Sequence, residues 1–223
     1  LGWHSFLQSK MIAWESMEAK FLNVQVAKNI KEAAYAASAK LAQEYGEPEV
    51  LKGYGRRNTT LLAIAPTKSS AFIMGQVSEG IEPHRTNYYI KDLQKGKFTI
   101  KNSHLEELLR AKKMDTLEVW DSILKNGGSI QHLDFLSENE KNVFKTFSEI
   151  SQKEIVIQAS QRQQYIDQSQ SLNLMIHPSI PIKDVNALLI EGWRLKVKSF
   201  YYQIGVNAAQ TFSRNILQCR SCE

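Results

Sequence analysis

Apolar residues recur at three- and four-residue spacing from Trp3 to about Tyr45, with Phe21, Val24, Ala27, Ile30 and Ala34 on one stripe. That period predicts a long helix, which Gly46-Glu47-Pro48 ends. Thr59 to Ala65 is a short, nearly continuous apolar run closed by Pro66, and predicts a strand buried on both faces, as in a parallel sheet. Tyr88-Tyr89-Ile90 and Lys97 to Ile100, joined through Gln94-Lys95-Gly96, predict a hairpin. Leu117 to Leu124 and Glu138 to Ile150 are amphipathic and predict helices, separated by Asn126-Gly127-Gly128. Ile155 to Asn173 fits a helix that turns into a strand near Tyr165. Ile182 to about Phe200 predicts a helix with Val185, Leu188, Leu189, Trp193 and Val197 on one face. Tyr201-Tyr202-Gln203-Ile204 reads as a last strand, and beyond Gly205 the composition turns polar. The expected class is α/β with one antiparallel insertion, residues 1–205 forming the folded part and 206–223 a flexible tail.

Composition narrows the function classes. The 223 residues are 43% hydrophobic, and no apolar run is long enough to span a membrane. A net charge of +5, with Lys and Arg scattered, argues against a nucleic-acid partner. No secretory leader is visible, and two cysteines close together at a terminus make no disulfide framework, so a cytoplasmic setting is expected. The chain begins with Leu1 rather than Met, which fits a fragment, a processed product or a trimmed polypeptide. His84, His104, His132 and His177 lack metal-ligand spacing, so no metal site is assigned.

Two places carry candidate chemistry. Pro66-Thr67-Lys68-Ser69-Ser70 follows the apolar strand and leads into Ala71-Phe72-Ile73-Met74. A strand's carboxyl end entering a helix N-terminus is where α/β proteins hold anions, because free N–H groups and the helix dipole face the ligand. Ordinary capping explains one hydroxyl there. Thr67, Ser69 and Ser70 are more than a cap needs. The second place is Cys219-Arg220-Ser221-Cys222, the chain's only thiols. A dithiol with no second Cys pair is suited to carrying reducing equivalents, or is incidental to a polar terminus. Arg214 and Arg220 would favour thiolate there, while Glu223 and the terminal carboxylate oppose it.

Gly55 to Ser70 (GRRNTTLLAIAPTKSS) resembles the substrate-phosphate segment of the large (α) subunit of class I ribonucleotide reductases. Gly80-Ile81-Glu82-Pro83, Tyr165-Ile166-Asp167-Gln168-Ser169-Gln170-Ser171-Leu172-Asn173, Lys198 to Gln203 and the terminal cysteine pair match further stretches in the same order. The wording is most similar to class Ia enzymes of T-even-like bacteriophages. Two departures stand out: no tryptophan precedes the Gly-x-Arg-Asn segment, and Arg56 stands where an aliphatic is usual. The family's thiyl-forming cysteine, its turnover disulfide and its allosteric nucleotide sites lie upstream of the resembled region. The resemblance therefore implies the C-terminal part of a ten-stranded α/β barrel.

It also implies roles. Thr67, Ser69 and Ser70 would hold the diphosphate of a ribonucleoside diphosphate substrate. Tyr202 and Tyr201 would relay a radical arriving from a separate β subunit, with Tyr202 nearer that interface. Cys219 and Cys222 would reduce the active-site disulfide and be reduced in turn by thioredoxin or glutaredoxin. No cofactor is expected in this chain; a diiron-tyrosyl radical would sit in the β subunit. Asp167 to Asn173 reads as barrel lining with hydrogen-bonding duties. Trp193 either packs on the barrel or helps form a groove for the β subunit's C-terminal tail. Two other readings compete: a non-catalytic module docking the β subunit, and a free-standing dithiol carrier. Neither needs both the tyrosines and the hydroxyls. By inventory of its thiols, the 223-residue chain alone should show no reductase activity.

Overall fold

The computed structural model describes residues 1–93 and 96–205. Cys219 and Cys222, with Arg214 and Arg220, lie outside the described residues. The elements in chain order are α1 (Trp3–Ser9), α2 (Met17–Tyr45), a 3-10 turn (Glu49–Leu51), α3 (Lys68–Ile73), β1 (Tyr88–Leu93), β2 (Gly96–Lys101), α4 (Ser103–Ala111), α5 (Leu117–Lys125), α6 (Glu138–Val143), α7 (Gln152–Gln163), β3 (Leu174–Met175), α8 (Ile182–Arg194) and β4 (Gln203–Ile204).

The expected first helix is two helices. Met11 takes a left-handed backbone (φ 54°), and Ile12 and Trp14 turn into the core. Ser16 then starts α2 by accepting a hydrogen bond from the Ala19 N–H at 3.1 Å. The buried face of α2 is also not the apolar stripe. Ala27 is buried, but Phe21 and Ile30 are exposed, and the inward positions are Ala19, Asn23, Ala27, Ser38 and Ala42. Small and amide side chains let α2 approach α7, where Asn23 Nδ2 donates to the Gln158 carbonyl at 2.9 Å.

The strand expected over Thr59 to Ala65 is reduced to one isolated parallel bridge, Ile64 opposite Gln170, and the segment is not covered on both faces. Leu62 is buried, while Ala63 and Ala65 are exposed. Its pairing is parallel, through Gln168 N–H to the Leu62 carbonyl at 3.0 Å, Ile64 N–H to Ser169 at 3.2 Å and Ser171 N–H to Ile64 at 2.9 Å. The same stretch continues into β3, which pairs in parallel with β4 (Leu174 opposite Gln203). One segment, 168–176, thus bridges the 59–65 segment and β4. Polar side chains over 167–173 make the hydrogen bonds expected of them. Asp167 accepts from the Leu61 and Leu62 N–H groups at 2.7 and 3.1 Å and from the Tyr35 hydroxyl at 2.7 Å. Gln170 accepts from Nε of Arg162 at 2.6 Å. Burial pulls that guanidinium down to about 9, still cationic at neutral pH.

The hairpin forms as expected, antiparallel with Tyr88 opposite Lys101. The element missed in the sequence is α4. Asn102 caps it through the His104 and Leu105 N–H groups, and Leu105 and Leu109 are fully buried. The helix expected over 138–150 stops at Val143. Phe144, Phe147 and Ile150 still point into the core from turns, and Glu149 holds the Thr146 N–H at 2.7 Å. The helix α8 ends at Arg194, since Lys196 is left-handed (φ 62°). Val197 is buried beyond that end, whereas Trp193 is 75% exposed and not core.

Two apolar clusters result. One gathers Leu7, Trp14, Phe147, Val156, Leu172 and Leu174 beneath α1, α7 and β3; the other packs Leu105, Trp120, Ile123 and Phe144 under the hairpin. A buried amide joint separates them: Asn102 Nδ2 donates to Gln8 at 3.0 Å and to Asn87 at 2.9 Å. Among the described residues no helix is long and apolar enough to cross a membrane.

Candidate functional site

The segment entering α3 is shaped by its neighbours rather than by a helix cap. Thr67 sits at the N-cap in a left-handed conformation (φ 47°) and makes no capping bond. Its hydroxyl instead accepts from the Gly80 N–H at 2.9 Å. Gly80, itself at φ 50°, lies so close that a Cβ would meet the Ala65 carbonyl oxygen at 2.9 Å. The Gly80–Pro83 loop is thereby fastened onto the end of the apolar strand. Of the three predicted hydroxyls, Thr67 is structural in this way. Ser69 and Ser70 are exposed at the start of α3, and their hydroxyls make no hydrogen bond to other described residues.

Glu82 follows in the same loop and is 6% exposed. Its carboxylate accepts from the Asn173 backbone N–H at 3.2 Å and from the Asn173 side-chain amide, while Arg85 stands 4.0 Å away. Burial raises the Glu82 carboxyl above its usual range, with Asn173 and Arg85 opposing that shift. Asn173 in turn accepts from the Tyr202 N–H at 3.0 Å through Oδ1. The loop after α3 and the tyrosine segment therefore meet through one side chain.

Tyr201 and Tyr202 precede β4 rather than lying in it, with ring centroids 4.1 Å apart and planes tilted by 48°. Both are exposed, at 51% and 56%. The Tyr202 phenol beside it, through hydrogen bonding first and charge second, raises the Tyr201 pKa above its usual value. Phe200, just before them, lies against α8 where a Cβ on Gly192 would meet its ring at 2.3 Å. Only glycine admits the ring there. By contrast Tyr88 and Tyr89 sit in a regular strand, one buried and one half-exposed.

A cavity of about 650 Å³ opens between these parts, lined by Lys68, Phe72, His84 and Arg85 on one side and by Met175 and Ile204 at the strand ends on the other. It is the place where α3 and the carboxyl ends of β3 and β4 share a space, the usual address of ligands in α/β folds. Ser69, Ser70 and the two tyrosines do not line it; they stand at the exposed surface. His84 beside it is held neutral, pushed down to about 4 by burial and then by the nearby His104. Among the described residues no group of three or more His, Cys, Asp or Glu could hold a metal. Sequence reasoning singled out Thr67, Ser69, Ser70, Tyr201 and Tyr202 but missed the Glu82–Asn173 link between them. The available signal was a glutamate after glycine in a loop that must press on the strand end.

Residues 48–203 match the family model described as the ribonucleotide reductase barrel domain. The chain belongs to that family. It is 42% identical over 206 residues to the ribonucleoside-diphosphate reductase large subunit of Invertebrate iridescent virus 6, covering 91% of this chain and 22% of the relative. A large subunit from Caenorhabditis elegans is 32% identical over 241 residues, with 91% of this chain and 30% of that protein covered. Among solved structures, the Actinobacillus ureae class Id ribonucleotide reductase alpha subunit superposes with a TM-score of 0.87 at 51% identity, covering 98% of this chain and 39% of that one. The chain thus spans well under half the length of these relatives.

Proposed function

We propose that this chain supplies the C-terminal part of the barrel in a ribonucleotide reductase large subunit that reduces ribonucleoside diphosphates to deoxyribonucleoside diphosphates. Its partners in that reading are polypeptide corresponding to the rest of the large subunit, which carries the thiyl cysteine and the allosteric nucleotide sites, and a β subunit holding a diiron-tyrosyl radical. The observation that carries it is the pair of adjacent tyrosine rings 4.1 Å apart, in a chain of this family, tied to the loop after the phosphate-type helix. Tyr202, as a phenoxyl radical, takes an electron and a proton from the Tyr201 phenol; Tyr202 is restored and Tyr201 becomes the radical. Ser69 and Ser70, whose hydroxyls are uncommitted, hold the substrate diphosphate with Thr67 shaping the turn. Cys219 and Cys222 return electrons to the active-site disulfide and receive them from thioredoxin or glutaredoxin.

Exposed apolar side chains on α2 (Met17, Phe21, Ile30, Tyr45) support further polypeptide packing there. The finer assignment to class Ia of T-even-like phages rests on the resemblance of stretches such as Tyr165 to Asn173, and a cytoplasmic setting, in the host cell if phage-encoded, on the lack of a disulfide framework. A docking module without turnover would need neither uncommitted hydroxyls at α3 nor paired phenols, so the enzyme reading is favoured. The test is Tyr201→Phe and Tyr202→Phe in the assembled enzyme. Each removes only an exposed hydroxyl, so assembly and substrate binding should persist while product formation stops. Normal turnover by both variants would overturn the assignment.

A further inference from the structure

Consecutive residues in a β-strand point to opposite faces. Tyr201 and Tyr202 do not: their rings lie 4.1 Å apart. The backbone shows how this is possible. The Tyr201 N–H donates to the Leu172 carbonyl at 2.8 Å, and the Tyr202 carbonyl accepts from the Leu174 N–H at 2.9 Å. In a regular strand the N–H and C=O of one residue face the same neighbour, and those of the next face away. Here two successive residues face the same neighbour, so alternation is broken between them. The break leaves the Tyr202 N–H without a ladder partner, and an unpaired amide would favour relaxation to a regular strand. Asn173 Oδ1 takes that N–H at 3.0 Å. The same amide's nitrogen and the Asn173 backbone N–H are both held by Glu82, which fixes the orientation of the amide. Glu82 is anchored by a loop whose Gly80 is pressed against the Ala65 carbonyl.

We infer that Glu82 and Asn173 are positioning residues that hold the irregular backbone at Tyr201–Tyr202 and so bring the two phenols into transfer distance. The inference rests on the relay role proposed above for the two tyrosines. The contacts of both residues run to the backbone, to each other and to Arg85. They act by geometry, and displacing reacting groups by about 1 Å can cost a hundredfold in rate.

A charge swap tests it. Asn173→Asp sets a second carboxylate against the buried Glu82. In the double variant Glu82→Gln, Asn173→Asp, the new amide donates to the new carboxylate, which still accepts from Tyr202. The assembled enzyme carrying Asn173→Asp should lose about a hundredfold in kcat with KM for the ribonucleoside diphosphate unchanged, and the double variant should regain most of it. Residue-resolved hydrogen exchange reads the same device without turnover: the Tyr202 amide should exchange faster in Asn173→Asp and be protected again in the double variant. Equal loss in single and double variants, or unchanged exchange at Tyr202, would overturn the clamp. If wild-type enzyme is inactive while the exchange pattern follows the swap, the clamp stands and the relay role falls.

Discussion

Acidification should loosen the contact between α1 and the segment 78–84 before it affects the rest of the chain. Two imidazoles meet there, His4 fully buried and His84 half-buried at the cavity edge, with ring centroids 5.5 Å apart. His4 Nδ1 accepts from the His84 N–H at 2.9 Å, and Nε2 of His84 bonds the Ser5 hydroxyl at 2.9 Å. Burial lowers both: His84 from 6.5 to about 4, with His104 adding to the effect, and His4 well below its ordinary value, with His84 adding to it. A depressed histidine binds protons more readily in the open state. The stability it gives is therefore complete above about pH 6.5 and falls as pH drops toward 4. By pH 5 about 2 kcal/mol of that stability is lost from His84 alone, at ~1.4 kcal/mol per tenfold change. That is roughly a thirtyfold rise in local opening. Hydrogen exchange over residues 3–9 and 78–84, corrected for intrinsic rates, is the assay, comparing pH 7 with pH 5. His84→Gln should flatten the response. Protection that is unchanged or greater at pH 5, or a His84→Gln variant with the full acid response, would refute the reasoning.

Gly80→Ala should destabilise the loop after α3 by about 1–3 kcal/mol, because it forces a side chain into left-handed backbone against the Ala65 carbonyl; thermal unfolding checks this, and an unchanged midpoint would contradict the close approach. Cys219→Ser or Cys222→Ser in the assembled enzyme should abolish multiple turnover with thioredoxin while sparing a single turnover; a steady-state rate near wild type would remove the shuttle role.

Much of the fold could be read from local chemistry. The β1–β2 hairpin followed from alternating Tyr, Ile and Phe around Gly96, and the end of α2 from Gly46, whose φ of 75° suits glycine. Where the reading failed, the missing information was a partner. An apolar run over Thr59 to Ala65 is right for an extended segment, but cannot say which faces are covered; Ala63 and Ala65 are open among the described residues. The stripe through Phe21 and Ile30 has helical period, yet the packed face uses Ala19, Asn23 and Ala27 because close approach to α7 favours small side chains and an amide. The candidate site was legible as hydroxyls and tyrosines in order along the chain. What makes Tyr201-Tyr202 unlike Tyr88-Tyr89 was not, since the difference is a broken strand alternation. That break is held by Asn173 and, through it, by Glu82, which lies 91 residues before Asn173 in the sequence.

The most direct test of the central claim is a reconstitution assay for deoxyribonucleoside diphosphate formation. The 223-residue polypeptide would be combined with polypeptide supplying the rest of the large subunit and with a β subunit. The account predicts no reduction by the 223 residues alone, because their only thiols are Cys219 and Cys222, and nucleotide reduction when all the parts are present. A stable assembly that makes no deoxynucleotide, or reduction by the 223 residues without partners, would contradict it.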